Sequence, residues 1–536
     1  MSDENQSRQP LKLNASQRDA LDAVRVFLAS NKPAFLLKGS AGTGKTTLIR
    51  QIASLVREHG RPLALAAPTG RAARILRART GYNTATLHGQ IYGQPEVRAD
   101  DSADALSDPA VRMYFPLRGD DPMDSVFIVD EASMVGDKET KGDLVQFGSG
   151  RLLTDLINYA RLDREDVARP TRGQIIFVGD PAQLPPVGET HSPAMCTDYL
   201  AQAHGLESQF FELCEVMRQK EGSAILARAT GLRDAIDAQT YTAFDIAESG
   251  DEVRQHSVTE SLDLLLAQLQ RNKSCVFVTR TNGRARELNR AVRARLRGDE
   301  DAPLTKGDLL LINKNSYRCN LSNGDLARVE AVSPAPISHT VSLKVKPQSE
   351  EVRRSFESRH VEIHERTARV SLYFRPARIL YQEPDNTVTQ SDCLLIENLL
   401  DSPDRELSPL EVRGLYVDFR QRHPALKPGS AEFSIALRDD PFFNALQVKY
   451  GYALTCHKAQ GGEWETAIID FSGGGGTRNE MFFRWAYTAI TRARTRLVTV
   501  DAPRYTASSD MAWQGLAAED ASPDANAAAA SHADPD

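Results

Sequence analysis

The sequence predicts an α/β protein with two doubly wound parallel sheets. Seven short apolar runs alternate with helical stretches, at residues 34–37, 63–67, 125–129, 174–179, 275–279, 467–471 and 497–500. These runs are continuously apolar, which is typical of parallel strands that are buried on both faces. Four runs precede residue 200 and three follow residue 270, so we expect two separate sheets.

Length and composition favour a multidomain globular protein. A chain of 536 residues exceeds what one core usually holds, and 41% hydrophobic with 26% charged residues is an ordinary globular composition. The first residues are polar and acidic, and the apolar runs are too short to cross a bilayer. We therefore expect a cytoplasmic protein without a membrane partner.

Cysteine spacing and net charge argue against several classes of site and of protein. The six cysteines form no CxxC pair, which argues against a structural zinc site, an iron–sulfur cluster or a disulfide framework. The net charge of −7 is unlike that of a strongly basic nucleic-acid binder. A groove can still be locally positive on an acidic protein, because exposed charges beyond a Debye length are screened.

Breaks in the α/β pattern predict the domain limits. We expect disordered ends at 1–12 and 506–536, a first domain over 13–200 and a second over 201–304 plus 446–505. A small β-hairpin is expected as an insertion at about 95–124 in the first domain. A larger insertion over 305–445 begins as a β-hairpin turning at Asn323-Gly324, a strong hairpin signal, and its part 345–445 is unassigned.

The segment from Gly39 to Thr46 fits the P-loop pattern G-x-x-x-x-G-K-[ST] between a predicted strand and a predicted helix. Backbone N–H groups of such a loop surround phosphates, Lys45 can reach the β- and γ-phosphates, and the Thr46 hydroxyl can ligate Mg²⁺. The pattern predicts a nucleoside triphosphate site. Its expected residues are Gly39, Ser40, Ala41, Gly42, Thr43, Gly44, Lys45, Thr46 and Thr47.

Two adjacent carboxylates, Asp130 and Glu131, follow the apolar run at 125–129. In P-loop enzymes an Asp at this place holds Mg²⁺ through water, and a neighbouring Glu can deprotonate the attacking water. Such a pair is common at strand ends, but the P-loop upstream makes a catalytic role the better interpretation. The Glu indicates hydrolysis instead of transfer to another substrate.

Three further polar residues are candidates for contact with the γ-phosphate. Gln183 follows the apolar run at 174–179 and can sense the phosphate or the attacking water. Arg218 and Arg492 lie in the second predicted α/β domain, from where an arginine can stabilise transition-state charge. The alternatives are an exposed Gln in a proline-rich turn and surface salt bridges of the two arginines.

The ordered segments resemble the motifs of superfamily-one helicases, in the B group that includes RecD-like and Dda-like enzymes. The resembling segments are 13–17 (Q motif), 39–46 (motif I), 67–73 (Ia), 86–89 (Ib), 130–133 (II), 179–183 (III), Arg218 (IV), 452–463 (V) and 487–493 (VI). The resemblance implies two RecA-like domains with ATP and Mg²⁺ between them. It also implies a hairpin called 1B and an SH3-like element called 2B at the two insertions, although the second insertion is longer than a small barrel.

The same resemblance implies roles for further residues. Gln17 would read adenine, Glu463 would hold the ribose, and Arg218 and Arg492 would reach the γ-phosphate across the cleft. Single-stranded DNA would cross both domains, and the chain would move 5′→3′ along it and act at junctions with duplex. The implied DNA contacts are Pro68, Thr69, Arg71, Thr86, His88, Thr455, His457 and Lys458.

The residues leave some alternatives open. Tyr114 and Phe115 of the expected hairpin are either a wedge that splits duplex or its local core. The basic face of the helix at 284–297 is either a DNA contact or, more plainly, a solvated surface. The leading function is an ATP-dependent DNA helicase. The alternative is a translocase or motor subunit of a repair, recombination or defence complex, docking through 345–445.

Overall fold

The computed structural model describes residues 13–94, 96–99, 111–120, 122, 124–140, 145–162, 173–213, 223–316, 318–383, 387–473 and 476–506. Its helices are α1 Ala15–Leu28, α2 Lys45–Glu58, α3 Gly70–Thr80, α4 Leu87–Ile91, α5 Leu152–Ala160, α6 Thr197–His204, α7 Ala224–Asp237, α8 Val258–Gln270, α9 Asn282–Arg297, α10 Glu350–Ser355, α11 Pro409–Arg422, α12 Ala431–Asp439, α13 Cys456–Ala459 and α14 Glu480–Ile490.

The strands alternate with these helices along the chain. They are β1 Ala34–Gly39, β2 Leu63–Ala67, β3 Thr84–Thr86, β4 Glu96–Ala99, β5 Val111–Phe115, β6 Val126–Val129, β7 Val145–Phe147, β8 Gln174–Gly179, β9 Ser208–Leu213, β10 Val253–Gln255, β11 Cys275–Thr279, β12 Leu309–Ile312, β13 Leu326–Val332, β14 Ile337–Lys344, β15 Val361–His364, β16 Thr367–Gln382, β17 Val388–Ile396, β18 Leu446–Tyr450, β19 Ala453–Thr455, β20 Trp464–Asp470 and β21 Ala493–Val500.

The first domain is a parallel six-stranded sheet in the order β3-β2-β6-β8-β1-β9. Neighbouring residues of one strand belong to different apolar clusters, such as Leu36 to one face and Leu37 to the other. This burial on both faces explains the continuously apolar runs and confirms the predicted fold class. The boundary at residue 200 is wrong, because β9 at Ser208–Leu213 pairs with β1 and closes this first sheet.

The second domain is a parallel sheet in the order β10-β21-β20-β11-β19. Val276 and Phe277 again point to opposite clusters, so this sheet is also covered on both faces. The three predicted strands form its centre. The short edge strands β10 and β19 have only three residues each, too few to give a pattern in the sequence.

The insertion in the first domain is a three-stranded sheet, β4-β5-β7. The expected two-stranded hairpin is therefore incomplete, since β7 at Val145–Phe147 comes from beyond Asp130 and pairs parallel with β5. Phe115 stacks on Phe147 with 4.6 Å between ring centroids, so it belongs to the local core of this insertion. Tyr114 is half-buried beside it.

The second insertion is a seven-stranded sheet that includes β12 to β18. Strands β12 and β13 pair antiparallel on either side of the Asn323-Gly324 turn, where Gly324 has a φ of +96°. The predicted end at residue 445 is wrong, because β18 at Leu446–Tyr450 pairs with β12 in this sheet. The unassigned part 345–445 contributes β15 to β17 and helices α10 to α12.

The two insertions contact each other, and the larger one also contacts the first domain. Met113 of β5 packs against an apolar cluster on α11 and α12 that contains Tyr416, Phe419, Phe433 and Leu437. The loop at 320–325, between β12 and β13, lies on α3, where Arg74 bonds to the Asn320 carbonyl oxygen and forms an ion pair with Asp325. Both insertions thus touch elements far away in the sequence.

Candidate nucleotide and nucleic-acid sites

The P-loop connects β1 to the first residue of α2. Gly42 and Gly44 have φ values of +88° and +80°, which glycine adopts without strain. Helix α2 begins at Lys45 and no side chain caps it. The N–H groups of a 14-residue helix therefore face the loop without a side-chain acceptor, and this arrangement suits a phosphate.

The Lys45 ammonium lies at the mouth of this loop. Its Nζ donates to the carbonyl oxygens of Gly39 at 2.8 Å and Ser40 at 3.0 Å. Thr46 and Thr47 follow on the first turn of α2 and are half-buried. The side chain thus has two neutral acceptors that a charged phosphate oxygen would outcompete.

Asp130 and Glu131 follow β6, next to the P-loop. Burial, together with the adjacent Glu131 carboxylate, raises the pKa of Asp130 to about 7. Its Oδ1 accepts the Glu131 N–H at 2.9 Å, while the positive charges of Lys45 and Arg79 oppose the shift. A cation bound nearby would stabilise the charged form of this carboxylate. The pair fits Mg²⁺, which usually takes one or two protein carboxylates plus phosphate oxygens and waters.

Gln183 is held in a buried loop after β8. The side chain is 3% exposed, and its Oε1 has no hydrogen-bond donor. A buried amide oxygen without a donor is costly, and it can accept a hydrogen bond from a water molecule. This observation suits the predicted contact with the attacking water better than an exposed turn.

The loop that carries Gln183 is fastened to the second domain by helix α14. The Leu184 N–H donates to Thr488 Oγ1 at 2.8 Å, and Tyr487 Oη donates to Asp180 Oδ2 at 2.6 Å. Tyr487 Oη also accepts the Ala41 N–H of the P-loop at 3.2 Å. Helix α14 therefore contacts two nucleotide-site loops of the first domain at once.

Arg492 follows α14 and is buried within its own domain. Its Nε donates to the Thr488 carbonyl oxygen at 2.8 Å, Nη1 to that of Gly462 at 3.2 Å and Nη2 to Thr491 Oγ1 at 3.0 Å. The structure thus holds its guanidinium on the second domain instead of on the P-loop. Arg218 lies outside the described residues.

Gln17 of helix α1 contacts the P-loop. Its Oε1 accepts the Asn14 N–H at 3.2 Å, and its Nε2 donates to the Thr43 carbonyl oxygen at 3.1 Å. Both ends of the buried amide are used inside the protein, and its contact with adenine stays a prediction. Glu463 is half-buried near Arg71, and its negative charge favours the charged form of that arginine. Its contact with the ribose also stays a prediction.

The residues expected to contact DNA follow β2, β3 and β19. Thr69 Oγ1 caps α3 and Thr86 Oγ1 caps α4, by accepting the N–H groups of Ala72 at 3.2 Å and Gly89 at 3.0 Å. Pro68 directly follows β2 and Thr455 is the last residue of β19, so these residues line the carboxyl edges of both sheets. Such edges are where open α/β sheets usually bind ligands.

Two of the expected DNA residues are histidines in packed surroundings. The His88 ring lies 4.8 Å from the Phe147 ring, edge to face, and burial lowers its pKa. Burial, and then the charge of Arg405, lower the pKa of His457. Burial thus disfavours the charged form of both rings, and their contact with DNA stays a prediction.

Arg71 and Lys458 reach the same loop from opposite domains. Arg71 Nη1 donates to the Gly324 carbonyl oxygen at 3.1 Å, and Lys458 Nζ donates to Asn323 Oδ1 at 2.6 Å. The Arg71 guanidinium also stacks on the buried Trp464 ring at 5.0 Å. The loop at 320–325 thus supplies neutral oxygens to two cations that were expected to bind phosphates.

Two families match the chain at these places. The family described as "AAA domain" matches residues 12–146, and the family described as "UvrD-like helicase C-terminal domain" matches residues 450–500. The first match covers the P-loop, Asp130 and Glu131. The second covers Thr455, Lys458, Tyr487 and Arg492. At these segments the chain is similar to RecD/Dda-like proteins of superfamily one.

Individual relatives agree with this similarity. The ATP-dependent RecD2 DNA helicase of Deinococcus radiodurans is 31% identical over 198 residues, which are 37% of this chain and 21% of that protein. The ATP-dependent DNA helicase dda of Enterobacteria phage T4 is 24% identical over 339 residues, 59% of this chain and 67% of that protein. The RecD/Dda-like chain thus spans about a fifth of the first relative and about two thirds of the second.

A solved structure also aligns with most of the RecD/Dda-like chain. Pif1 helicase from Bacteroides, in complex with ADP-AlF3 and ssDNA, has a TM-score of 0.43 at 16% identity, over 92% of this chain and 93% of that one. Within the residues that the structure describes, no helix is long and apolar enough to span a bilayer. The same residues contain no cluster of three or more His, Cys, Asp or Glu side chains suited to a metal ion.

Sequence reasoning gave no role to several residues that organise this RecD/Dda-like site. Tyr487 and Asp180 lie within motif segments, yet their contact depends on how the two domains pack. Gln460 Nε2 donates to the Leu184 carbonyl oxygen at 3.2 Å and fastens the same loop. Arg74, which bonds to the loop at 320–325, lies just after the segment that resembles motif Ia and carried no signal of its own.

Proposed function

We propose that this chain is an ATP-dependent DNA helicase that translocates 5′→3′ on single-stranded DNA and unwinds duplex. The observation that carries the proposal is the contact of helix α14 with both the P-loop and the Gln183 loop. It brings the second domain against the nucleotide site of the first, so nucleotide binding can change how the domains meet. The relatives that share these segments are DNA helicases by name.

In the proposed reaction, the P-loop and Lys45 hold the β- and γ-phosphates of ATP. Thr46 and Asp130 would hold Mg²⁺, which would neutralise charge on the phosphates. Glu131 takes a proton from the attacking water, and Gln183 orients that water through its unpaired amide oxygen. Arg492, with Arg218, moves to the γ-phosphate when the domains close, which requires Arg492 to leave the carbonyl oxygens that now hold it.

The proposed DNA track follows the carboxyl edges of both sheets. Hydroxyl groups, backbone N–H groups and cations contact phosphates without reading the base sequence. The 5′→3′ direction rests on the family resemblance. The proposed partners are single-stranded DNA and its junctions with duplex, in the cytoplasm.

A second function is a motor subunit that unwinds little by itself. Among the described residues of the part 345–445, the insertion carries three exposed large apolar side chains, Phe356 at 76%, Val388 at 66% and Ile435 at 52%. Apolar side chains that are exposed on an accessory element are available for contact with a protein partner. In this alternative the chain hydrolyses ATP on single-stranded DNA and needs its complex for strand separation.

The deciding experiment is ATP-driven unwinding of one duplex that carries either a 5′ or a 3′ single-stranded tail, with Glu131→Gln as the inactive control. Unwinding from the 5′ tail alone supports the helicase. DNA-stimulated ATP hydrolysis without unwinding from either tail supports the motor subunit. Absence of DNA-stimulated hydrolysis contradicts both functions.

A further inference from the structure

One buried hydroxyl joins three segments that are far apart in the sequence. Tyr487 Oη accepts the Ala41 N–H of the P-loop at 3.2 Å and donates to Asp180 Oδ2 at 2.6 Å. Tyr487 belongs to the second domain, whereas Ala41 and Asp180 belong to the first. The side chains of Tyr487 and Asp180 are buried, at 1% and 0% exposure, so water does not compete for these bonds.

The chemistry of the hydroxyl suits this position. A phenol has one donor hydrogen and accepts through its oxygen, so it can bond a carboxylate and an amide N–H together. Burial, and then the Asp180 charge, raise the pKa of Tyr487 well above its ordinary value. The group therefore keeps its hydrogen, and the Asp180 carboxylate also accepts the Ala182 N–H at 3.1 Å.

The next residue extends the connection. Thr488 Oγ1 accepts the Leu184 N–H at 2.8 Å, directly after Gln183, and the Thr488 carbonyl oxygen accepts from Arg492 Nε at 2.8 Å. One turn of α14 thus bonds to the P-loop, to the Gln183 loop and to Arg492. A shift of the P-loop would reach both predicted γ-phosphate contacts through this turn.

We propose that Tyr487 is a positioning residue that transmits the state of the P-loop to Gln183 and Arg492. The proposal rests on the proposed ATP hydrolysis and deepens it. Tyr487 does not touch the reacting atoms in this assignment. It fixes the relative place of three loops, so its loss should slow the chemical step more than it weakens nucleotide binding.

The test is Tyr487→Phe, which keeps the ring and removes the hydroxyl. Tyr452→Phe is the matched control, because Tyr452 is also buried in the second domain, donates to Asp308 at 3.3 Å and accepts the Leu309 N–H at 3.1 Å. For each variant we would measure kcat for ATP hydrolysis with single-stranded DNA, and the Kd for a non-hydrolysable ATP analogue.

We expect Tyr487→Phe to lower kcat on the order of 10- to 100-fold, the usual cost of displaced catalytic groups, with Kd changed by less than about threefold. Tyr452→Phe should leave both values near those of the unmodified protein. Equal kcat values for the two variants would overturn the proposal, and so would a loss of analogue binding that accounts for the whole loss of activity.

A double-mutant cycle with Asp180→Asn separates positioning from general destabilisation. If Tyr487 acts through Asp180, the two changes together should cost no more than the larger single change. Fully multiplicative losses would contradict that route. If the unmodified protein shows no DNA-stimulated hydrolysis, the proposed function fails instead, which the same assay reports before any variant is compared.

Discussion

The guanidinium of Arg71 on the first domain stacks over the indole of Trp464 on the second, with 5.0 Å between the guanidinium carbon and the ring centroid. Arg71 is also bonded to the Gly324 carbonyl oxygen of the insertion. Burial, and then the neighbouring charges of Arg492 and Arg74, lower the pKa of Arg71 to about 10. A side chain expected on the DNA track thus joins three parts of the molecule.

Single-stranded DNA should change the fluorescence of Trp464. If a phosphate draws Arg71 from the indole, the cation–π contact, worth roughly 0.5–2 kcal/mol, is lost and the ring environment changes. The chain has three tryptophans, so Trp485→Phe with Trp513→Phe isolates the signal. Arg71→Ala in that background is the control, and an unchanged signal at saturating DNA would show that the stack persists on binding.

The Gly70→Ala substitution should detach the loop at 320–325 from α3. A β-carbon at Gly70 would collide with Ser322, although alanine otherwise favours the helix. Arg71 and Lys458 would then lose their neutral acceptors, and we expect faster association with a fluorescent single-stranded oligonucleotide in stopped-flow anisotropy.

Two variants control that experiment. Gly231→Ala lies in α7, where an added β-carbon meets nothing within 4 Å, and should bind DNA at the original rate. Ser322→Gly added to Gly70→Ala should restore the slower association by making room. Slower association in Gly70→Ala alone, unrelieved by Ser322→Gly, would mean that the added methyl obstructs the DNA itself.

Binding of single-stranded DNA should weaken as the pH rises through 8. Burial, and then Arg405 and Lys449, lower the pKa of Lys458 to about 8, against the opposing charge of Glu406. Above that pH the free protein loses the charge, so phosphate binding must take up a proton, at most about tenfold in Kd per pH unit. Measured at constant salt, Lys458→Arg should remove this dependence.

Lys449→Arg is the control, because burial also lowers the pKa of Lys449 to about 8 but its ammonium donates to the Ser402 carbonyl oxygen at 2.9 Å. Unfolding does not explain such a loss. Between pH 8 and 10.5 the folded chain holds fewer protons at Lys458 than the unfolded chain. Through this group, the free energy of unfolding therefore increases as the pH rises. A Kd independent of pH in the unmodified protein would contradict a phosphate contact at Lys458.

Two substitutions separate nucleotide binding from hydrolysis. Lys45→Ala removes the cation at the P-loop and should abolish hydrolysis with weaker ATP binding. Glu131→Gln should retain ATP binding within a few fold and reduce turnover by about 100-fold or more, since it removes the proposed base. Steady-state hydrolysis and equilibrium binding of labelled ATP measure the two effects, and normal turnover by Glu131→Gln would show that another group takes the proton.

Met113→Asp should reduce unwinding and leave DNA-stimulated hydrolysis intact. It places a charge against the apolar cluster of α11 and α12, at a cost of roughly 1–3 kcal/mol, which should release the first insertion from the second. Phe356→Asp makes the same change at a side chain that is 76% exposed. If both variants unwind equally well, the packing of the insertions is irrelevant to strand separation.

The sequence predicted the centre of each sheet well because burial on both faces leaves a continuous apolar run. It missed β9, whose residues are only partly buried, and β3, which has three residues. Local chemistry also placed Lys45, Asp130 and Gln183 after the correct strands, since a motif, a strand end and a turn are short-range features.

The remaining geometry depends on contacts between residues hundreds of positions apart. The bonds of Tyr487 to Ala41, of Arg71 to Gly324 and of Lys458 to Asn323 leave no period or spacing in the sequence. The same holds for Arg492, whose side chain is aligned by carbonyl oxygens that any residue could supply. Their assigned roles stay predictions until the experiments above are done.

The large insertion leaves and rejoins the second domain through adjacent strands, since Leu310 of β12 pairs with Tyr450 of β18. Elements whose ends lie side by side are the ones that chains exchange most readily. The insertion is thus a unit that can be exchanged without moving the ends of the chain that hold it. Evolution can lengthen it, replace it or reduce it to a turn while both parallel sheets keep their register, so chains with closely similar domains can carry very different insertions at this one place.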